Sequence, residues 1–152
     1  MHLNTKSIKN RKAVFEYFFI EKFSCGIILT GTEVKSVRSG KVNLKEGYCY
    51  ARNGEVWIKN MHIAPYKEAS YNNHEPMRLR KLLLNKREIK KIESKLKEKG
   101  LTLVPVEMYI NKRGLAKIDI ALSKGKKHFD KRNTIKDKDS KRDMDRALKG
   151  SY

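Results

Sequence analysis

Metal-site and disulfide chemistry have little to draw on in this chain. It has two cysteines, Cys25 and Cys49, separated by 24 positions and in no Cys-x-x-Cys pair. Its four histidines, His2, His62, His74 and His128, supply no closely spaced pair either. Zinc takes three or four soft or imidazole ligands, usually with two of them close in sequence, so no metal and no disulfide is expected. The cysteines read as small, half-buried apolar residues in a reducing cytosol. Long hydrophobic runs are also missing. The densest, Tyr17-Phe18-Phe19-Ile20, stops at Glu21-Lys22, far short of the ~18 residues of a membrane span. Met1–Lys6 lacks the apolar core of a secretory signal. Catalytic patterns are absent too. Gly125-Lys126-Lys127 has neither the earlier glycine nor the following Ser/Thr of a phosphate loop. His62 and the pair His74-Glu75 have no partner in the sequence and read as ordinary surface residues. The expectation is a cytoplasmic protein with no membrane segment, no cofactor and no enzymatic activity.

Acidic residues are scarce: 17 Asp+Glu stand against 36 Lys+Arg in 152 residues, a formal net charge of +19. Solubility asks for a net charge of only ~2–8, and a larger excess destabilises the compact state unless a polyanion offsets it. An anionic membrane surface would call for an amphipathic helix with bulky apolar anchors, and none is present. Nucleic acid fits better, because phosphate neutralisation with counterion release rewards Lys/Arg density. Residues 124–152 hold eleven Lys/Arg and five Asp, a net of +6, which leaves +13 on residues 1–123. Both parts are basic, so two RNA-facing surfaces are expected.

Residues 1–12 are polar and basic and read as a mobile arm or an entry strand. Ala13–Leu29 is rich in Phe, Tyr and Ile, which favours strands. Thr30-Gly31-Thr32-Glu33 has the form of a capping box for a short helix with Val34 and Val37 on one face and Gly40 as its stop. Residues 44–63 read as a hairpin around Asn53-Gly54, a pair suited to a type I′ turn. Residues 64–78 form a loop long enough to be functional. Asn85 and Glu88 cap a helix predicted to run to Lys99, with Leu84 on Ile89 as a staple and a stripe of Ile89, Ile92 and Leu96. Leu103–Ile110 and Lys117–Leu122 alternate around Asn111-Lys112-Arg113-Gly114 as a second hairpin.

Beyond Ser123 apolar residues thin out to Phe129, Ile135, Met144, Ala147, Leu148 and Tyr152. These are too few to offset a backbone entropy cost of ~1–2 kcal/mol per residue. The segment nevertheless lacks proline, and Asp137–Lys141 and Asp145–Lys149 are helix-favouring i,i+4 pairs. The fold class expected is mainly β with short helices. It takes the form of an OB-fold-like closed β-barrel over residues 1–123, followed by a basic C-terminal tail over 124–152, disordered when free and helical when bound. Composition and pattern alone stop at a basic RNA-binding barrel with a disordered tail.

Several blocks, in this order and spacing, carry a resemblance. They are Asn10-Arg11-Lys12-Ala13, Gly31-Thr32-Glu33-Val34-Lys35-Ser36-Val37-Arg38-Ser39-Gly40, Gly54-Glu55-Val56-Trp57-Ile58, Arg78-Leu79-Arg80-Lys81-Leu82-Leu83-Leu84, and Gly125-Lys126-Lys127-His128-Phe129-Asp130-Lys131-Arg132. The chain resembles the bacterial SsrA-binding protein (small protein B) family over nearly its full length. The resemblance implies a non-catalytic adaptor of trans-translation, working as a monomer in a 1:1 complex with its RNA. In that role the barrel binds the tRNA-like domain of transfer-messenger RNA and delivers it to the vacant A site of a stalled ribosome. The tail would occupy the decoding centre, against small-subunit ribosomal RNA, and the empty mRNA path.

By the same resemblance Asn10, Glu33, Leu83 and Asn85 match RNA-binding positions, where an Asn or Glu can read a 2′-hydroxyl or a base edge. Lys35, Arg38, Arg78, Arg80 and Lys81 would hold phosphates, and Arg11 and Lys12 belong to the same RNA-binding set. Helix capping remains the other reading of Glu33, and core packing that of Leu83. Ser24 belongs to the same surface but departs from the family, which usually has Glu-Ala before the glycine where this chain has Ser24-Cys25-Gly26. In the tail Phe129 is expected to stack on a base, worth ~1–3 kcal/mol. Lys126, Lys127, Asp130, Lys131, Arg132, Lys136, Arg142 and Arg146 complete the ribosome-facing set. Asn133 and the last few residues depart from the family pattern.

Overall fold

The computed structural model of the chain describes residues 7–69 and 71–149, apart from the side chains of 128–130, 133, 134, 145 and 147–149. Of the stretch 1–12 expected as an arm or entry strand, residues 1–6 lie outside the described residues and Ile8–Lys9 forms a short strand. The elements are β1 (Ile8–Lys9), α1 (Arg11–Glu16), β2 (Tyr17–Ile27), α2 (Gly31–Arg38), β3 (Val42–Asn43), β4 (Tyr48–Arg52), β5 (Glu55–Lys59), β6 (His62–Ile63), β7 (Arg80–Leu83), α3 (Lys86–Leu96), β8 (Leu101–Ile110), β9 (Ala116–Gly125) and α4 (His128–Lys149). The protein is therefore mainly β with a few helices.

The turn chemistry sets the hairpins. Asn53 and Gly54 both take positive φ, 52° and 73°, which joins β4 to β5 in antiparallel register with Tyr50 opposite Trp57. At the second hairpin the Asn111 side chain accepts from the amides of Arg113 and Leu115, each at 3.0 Å. Gly114 turns the chain with φ 80°. All strand pairs are antiparallel: seven strands run in the order β1-β8-β4-β5-β7-β2-β9, with β8 also pairing with β9, and β3 pairs with β6 in a separate two-stranded sheet. The pairing therefore leaves β8 through β4, β5, β7 and β2 and returns to it through β9. Register shifts between Phe19 and Glu21 on β2, and between Pro105 and Glu107 on β8, bend the two long strands. Pro105, which has no N–H to give a ladder, sits at one of these irregularities, as strand prolines do.

Alternation along the strands sends Val56, Ile58, Leu82, Leu103, Ile118 and Ile120 into one core. Ile92 of α3 is fully buried against it. The cap of α3 follows the sequence: the Asn85 side chain accepts from the Glu88 amide at 2.8 Å, and Glu88 accepts from the Asn85 amide at 3.2 Å. The helix ends at Leu96, three residues before the predicted Lys99.

Two expectations are corrected. Ala13–Glu16 is helical, not extended, because Asn10 caps α1 by accepting from the Ala13 amide at 3.1 Å. The cysteines are fully buried rather than half-buried, and burial pushes the Cys25 thiol up to about 12.

Candidate nucleic-acid interface

The helix α2 sorts its own residues. Helical spacing turns Glu33, Ser36 and Val37 inward and leaves Lys35 and Arg38 exposed. Lys35 places its ammonium 5.1 Å from the Tyr66 ring, and Arg38 reaches towards Gly114 at the tip of the second hairpin. Glu33, with no exposed surface, is the acceptor around which this region is built. One oxygen accepts from the Thr30 amide at 2.9 Å and from Arg78 Nε and Nη2 at 3.2 and 2.6 Å. The other accepts from Arg80 Nε. Arg80, equally buried, also donates to the carbonyls of Met61 and Pro76 at 2.7 and 3.2 Å. Burial alone would raise the Glu33 carboxyl, but the donors of Arg78, Thr30 and Arg80 outweigh it and hold it below its ordinary value.

These contacts change the roles expected of three residues. Asn10 is buried, accepting from Ala13 and donating through Nδ2 to the carbonyls of Leu44 and Pro105 at 3.1 and 2.8 Å. Glu33 therefore has no surface with which to read a 2′-hydroxyl or base edge and Arg80 none for a phosphate, while Asn10 is buried with its amide fully engaged. Each spends its hydrogen bonds inside the protein and positions what lies above it. Arg78, partly exposed, shares Glu33 and donates to the Ile28 carbonyl at 3.2 Å.

Other expected residues do face outward. On β7 the alternation buries Arg80 and Leu82 and turns Lys81 and Leu83 out. Leu83 is 50% exposed, so core packing does not account for it. It lies over Gly26, where a Cβ would come within 3.4 Å of it. With Ile27, Leu29, Val34 and Leu115 it lines an open hollow of about 300 Å³. Asn85 is exposed beside it, its Oδ1 used by the helix cap. Lys81 pairs with Glu55 at 3.0 Å and Lys12 with Glu46 at 2.9 Å, while Arg11 is exposed. Ser24 faces out from β2 and shares a 2.9 Å hydrogen bond with the Tyr109 hydroxyl. The structure thus brings Lys35, Arg38, Arg78, Lys81, Leu83 and Asn85 to the region formed by α2, β7 and the start of α3. Arg11 and Lys12 lie apart on α1.

In the tail β9 continues to Gly125. The Lys126 amide then donates to the Glu16 carbonyl at 2.8 Å, and its Nζ to the Val14 carbonyl at 3.3 Å. The same Nζ lies 5.0 Å from the Phe18 ring. From His128 the chain is helical for 22 residues, about 33 Å at 1.5 Å per residue. Lys127, Arg132, Lys136, Arg142 and Arg146 are exposed and Lys131 is partly so. The side chains of Phe129 and Asp130, two of the expected contacts, lie outside the described residues.

Sequence reasoning missed His74. It is buried, with Nε2 2.9 Å from the Ile63 carbonyl and Nδ1 2.9 Å from the Thr32 hydroxyl. It therefore pins the 64–78 loop to α2 and is not an ordinary surface residue. No local pattern announces this, because both partners are remote in sequence. Among the described residues no group of three or more His, Cys, Asp and Glu is placed to hold a metal ion, and no helix is long and apolar enough to cross a membrane.

Comparison with known proteins places this geometry among relatives. The family described as SmpB protein matches residues 7–150. An SsrA-binding protein of Phocaeicola vulgatus is 55% identical over 143 residues, covering 94% of this chain and 95% of the relative. One of Trichodesmium erythraeum is 56% identical over 141 residues, covering 92% and 90%. A solved structure described as "tmRNA-SmpB: a journey to the center of the bacterial ribosome" superimposes with a TM-score of 0.69 at 45% identity, covering 80% of this chain and 85% of that one.

Proposed function

Since the chain belongs to the SmpB protein family, we propose that it is an RNA-binding adaptor of trans-translation. It binds the tRNA-like domain of transfer-messenger RNA as a monomer and delivers it to the vacant A site of a stalled ribosome. The observation that carries this reading is the likeness to SsrA-binding proteins, above half identity and nearly end to end on both sides. The ring of pairings that leaves and re-enters β8 supports an OB-like barrel as the folded unit, ending near residue 123. The exposed cations of α4 support a separate role for residues 124–152, in the decoding centre and the empty mRNA path. In this reading the tail is ordered as a helix by that environment.

The proposed division of labour follows from exposure. Lys35, Arg38, Arg78 and Lys81 hold phosphates, and Leu83 and Asn85 contact the RNA at short range. Glu33 and Arg80 set the positions of those groups from beneath, and Asn10, as the cap of α1, sets that of Arg11 and Lys12. No residue is assigned a catalytic role, and the protein acts by binding and placement alone.

The test is a pull-down of the chain from bacterial lysate with sequencing of the retained RNA. Strong enrichment of one small RNA with a tRNA-like end and an internal reading frame is expected. Bulk ribosomal RNA without it would replace the adaptor by a permanent ribosomal component.

A further inference from the structure

A row of side chains on the outside of the strand ring has, apart from one lysine, no part in the interface described above. Tyr50 on β4 stands opposite Trp57 on β5, and Trp57 opposite Lys81 on β7. Their strand neighbours Cys49, Val56, Ile58, Arg80 and Leu82 are buried, so alternation turns the row outward. In the next row Tyr48, 38% exposed, faces the exposed Lys59. Arg52, also exposed, and Glu55 face each other on the same side. Lys81 pairs with Glu55 at 3.0 Å, while among the described residues Arg52 and Lys59 form no ion pair. Tyr48, Tyr50 and Trp57 thus share one sheet face on which Arg52, Lys59 and Lys81 outnumber a single carboxylate.

Sheet packing explains the rings but not their polar tips. Tyr50 and Trp57 are half-buried, and directly opposed aromatic residues support a pair of strands. Yet among the described residues nothing hydrogen-bonds the Trp57 indole N–H or the hydroxyls of Tyr48 and Tyr50. Rings that are apolar on one side and keep a free donor on the other suit a wet interface. The surplus of positive charge makes the partner an anion. The face is also continuous with the interface proposed above. Lys81 belongs to both, and Leu83, the next outward residue of β7, lines the hollow beside Gly26.

Resting on the RNA-binding reading above, we infer that the outer face of β4, β5 and β7 is a stacking platform for unpaired nucleotides of transfer-messenger RNA. Bases lie against Trp57, Tyr50 and Tyr48, and Arg52 and Lys59 hold the phosphates between them. A strand that leaves the hollow at Leu83 meets this face next. Unpaired bases bring π-faces for the rings and acceptors for the free N–H and O–H groups. Paired RNA brings neither, because its bases are stacked on one another and it offers mainly phosphates and sugar hydroxyls. The platform therefore selects unpaired over paired RNA.

Trp57 is the only tryptophan of the chain, so its fluorescence reports on this face directly. The test is titration of the full chain with transfer-messenger RNA and, in parallel, with a fully paired RNA duplex. Transfer-messenger RNA should quench Trp57, as base stacking does, whereas the duplex should bind through its phosphates without quenching. In filter binding, Trp57→Ala should hold transfer-messenger RNA about tenfold more weakly. Its salt slope should stay unchanged, since no phosphate contact is lost. Trp57→Phe, which keeps a ring, should stay within about threefold of the parent. Tyr48→Ala, at an exposed position, guards against a loosened sheet. It should lose about fivefold in affinity without moving the thermal unfolding midpoint. Binding of transfer-messenger RNA without quenching, equal quenching by the duplex, or alanine variants that bind like the parent would overturn the inference. A parent chain that binds no transfer-messenger RNA would instead overturn the proposed function, and this inference with it.

Discussion

The cations of the strand ring and those of α4 differ in what holds them. Around the ring, Arg78 and Arg80 share Glu33, Lys81 pairs with Glu55, Lys12 with Glu46 and Lys91 with Glu21. In α4 the expected Asp137–Lys141 pair does not form an ion pair, and the described Arg and Lys side chains past Lys131 are exposed. The other expected pair, Asp145–Lys149, lies outside the described side chains. Net charge counts both regions alike. Physically, the ring uses part of its charge as architecture, and α4 leaves its charge for whatever anion arrives.

The widest break between the two regions is truncation. A chain ending at Lys127 keeps β9 and the Lys126 bonds to α1, so it should bind the tRNA-like RNA with nearly the parental affinity. Tagging of stalled peptides in a reconstituted translation system should disappear. Loss of RNA binding by that chain would show that α4 and the ring are not separable. Next in size, Glu33→Ala leaves Arg80 buried without its counter-charge, which should cost about 3–5 kcal/mol in denaturant unfolding. Removal of an exposed tail cation such as Arg142 should leave stability unchanged in the same assay.

Acid separates the regions by the same carboxylate. The Glu33 carboxyl is held below its ordinary value in the fold. Its contribution is therefore fully present above the unfolded-state value of about 4.3 and is lost as pH falls through the folded value. Unfolding midpoints measured on the chain ending at Lys127 should drop through that window. Glu33→Gln, destabilised at neutral pH, should show a shallower fall. The smallest effect is expected at the surface. Lys35→Ala or Arg38→Ala should each lower the salt slope of RNA binding by roughly one, without moving the unfolding midpoint.

Much of the architecture was legible in the sequence because it is specified locally. Asn53-Gly54, the Asn111 turn and the Asn85–Glu88 box each act within a few residues, and each lies where the pattern put it. The departures come from partners far along the chain. The Phe- and Tyr-rich stretch after Asn10 favours strands, but the Asn10 side chain caps a helical turn and is itself held by Leu44 and Pro105. Arg80 reads as a surface cation between Leu79 and Lys81, and only a carboxylate 47 positions away makes its burial possible. Leu83 is outward because Leu82 is inward, a phase that a run of three leucines does not reveal. For the candidate interface, the sequence could not divide the side chains that stay exposed from those that are held inside the protein.

The attachment of α4 has a mechanical consequence. Gly125 has open space where a side chain would be, and the next residue is bound twice to α1, through its amide and its ammonium. A helix about 33 Å long is thus a lever whose fulcrum is Lys126. A sideways load on its far end becomes torque on α1, whose first turn is clamped by Asn10 to the backbones of Leu44 and Pro105. A load on α4 is therefore felt first at α1 and, through Asn10, at the backbones of Leu44 and Pro105.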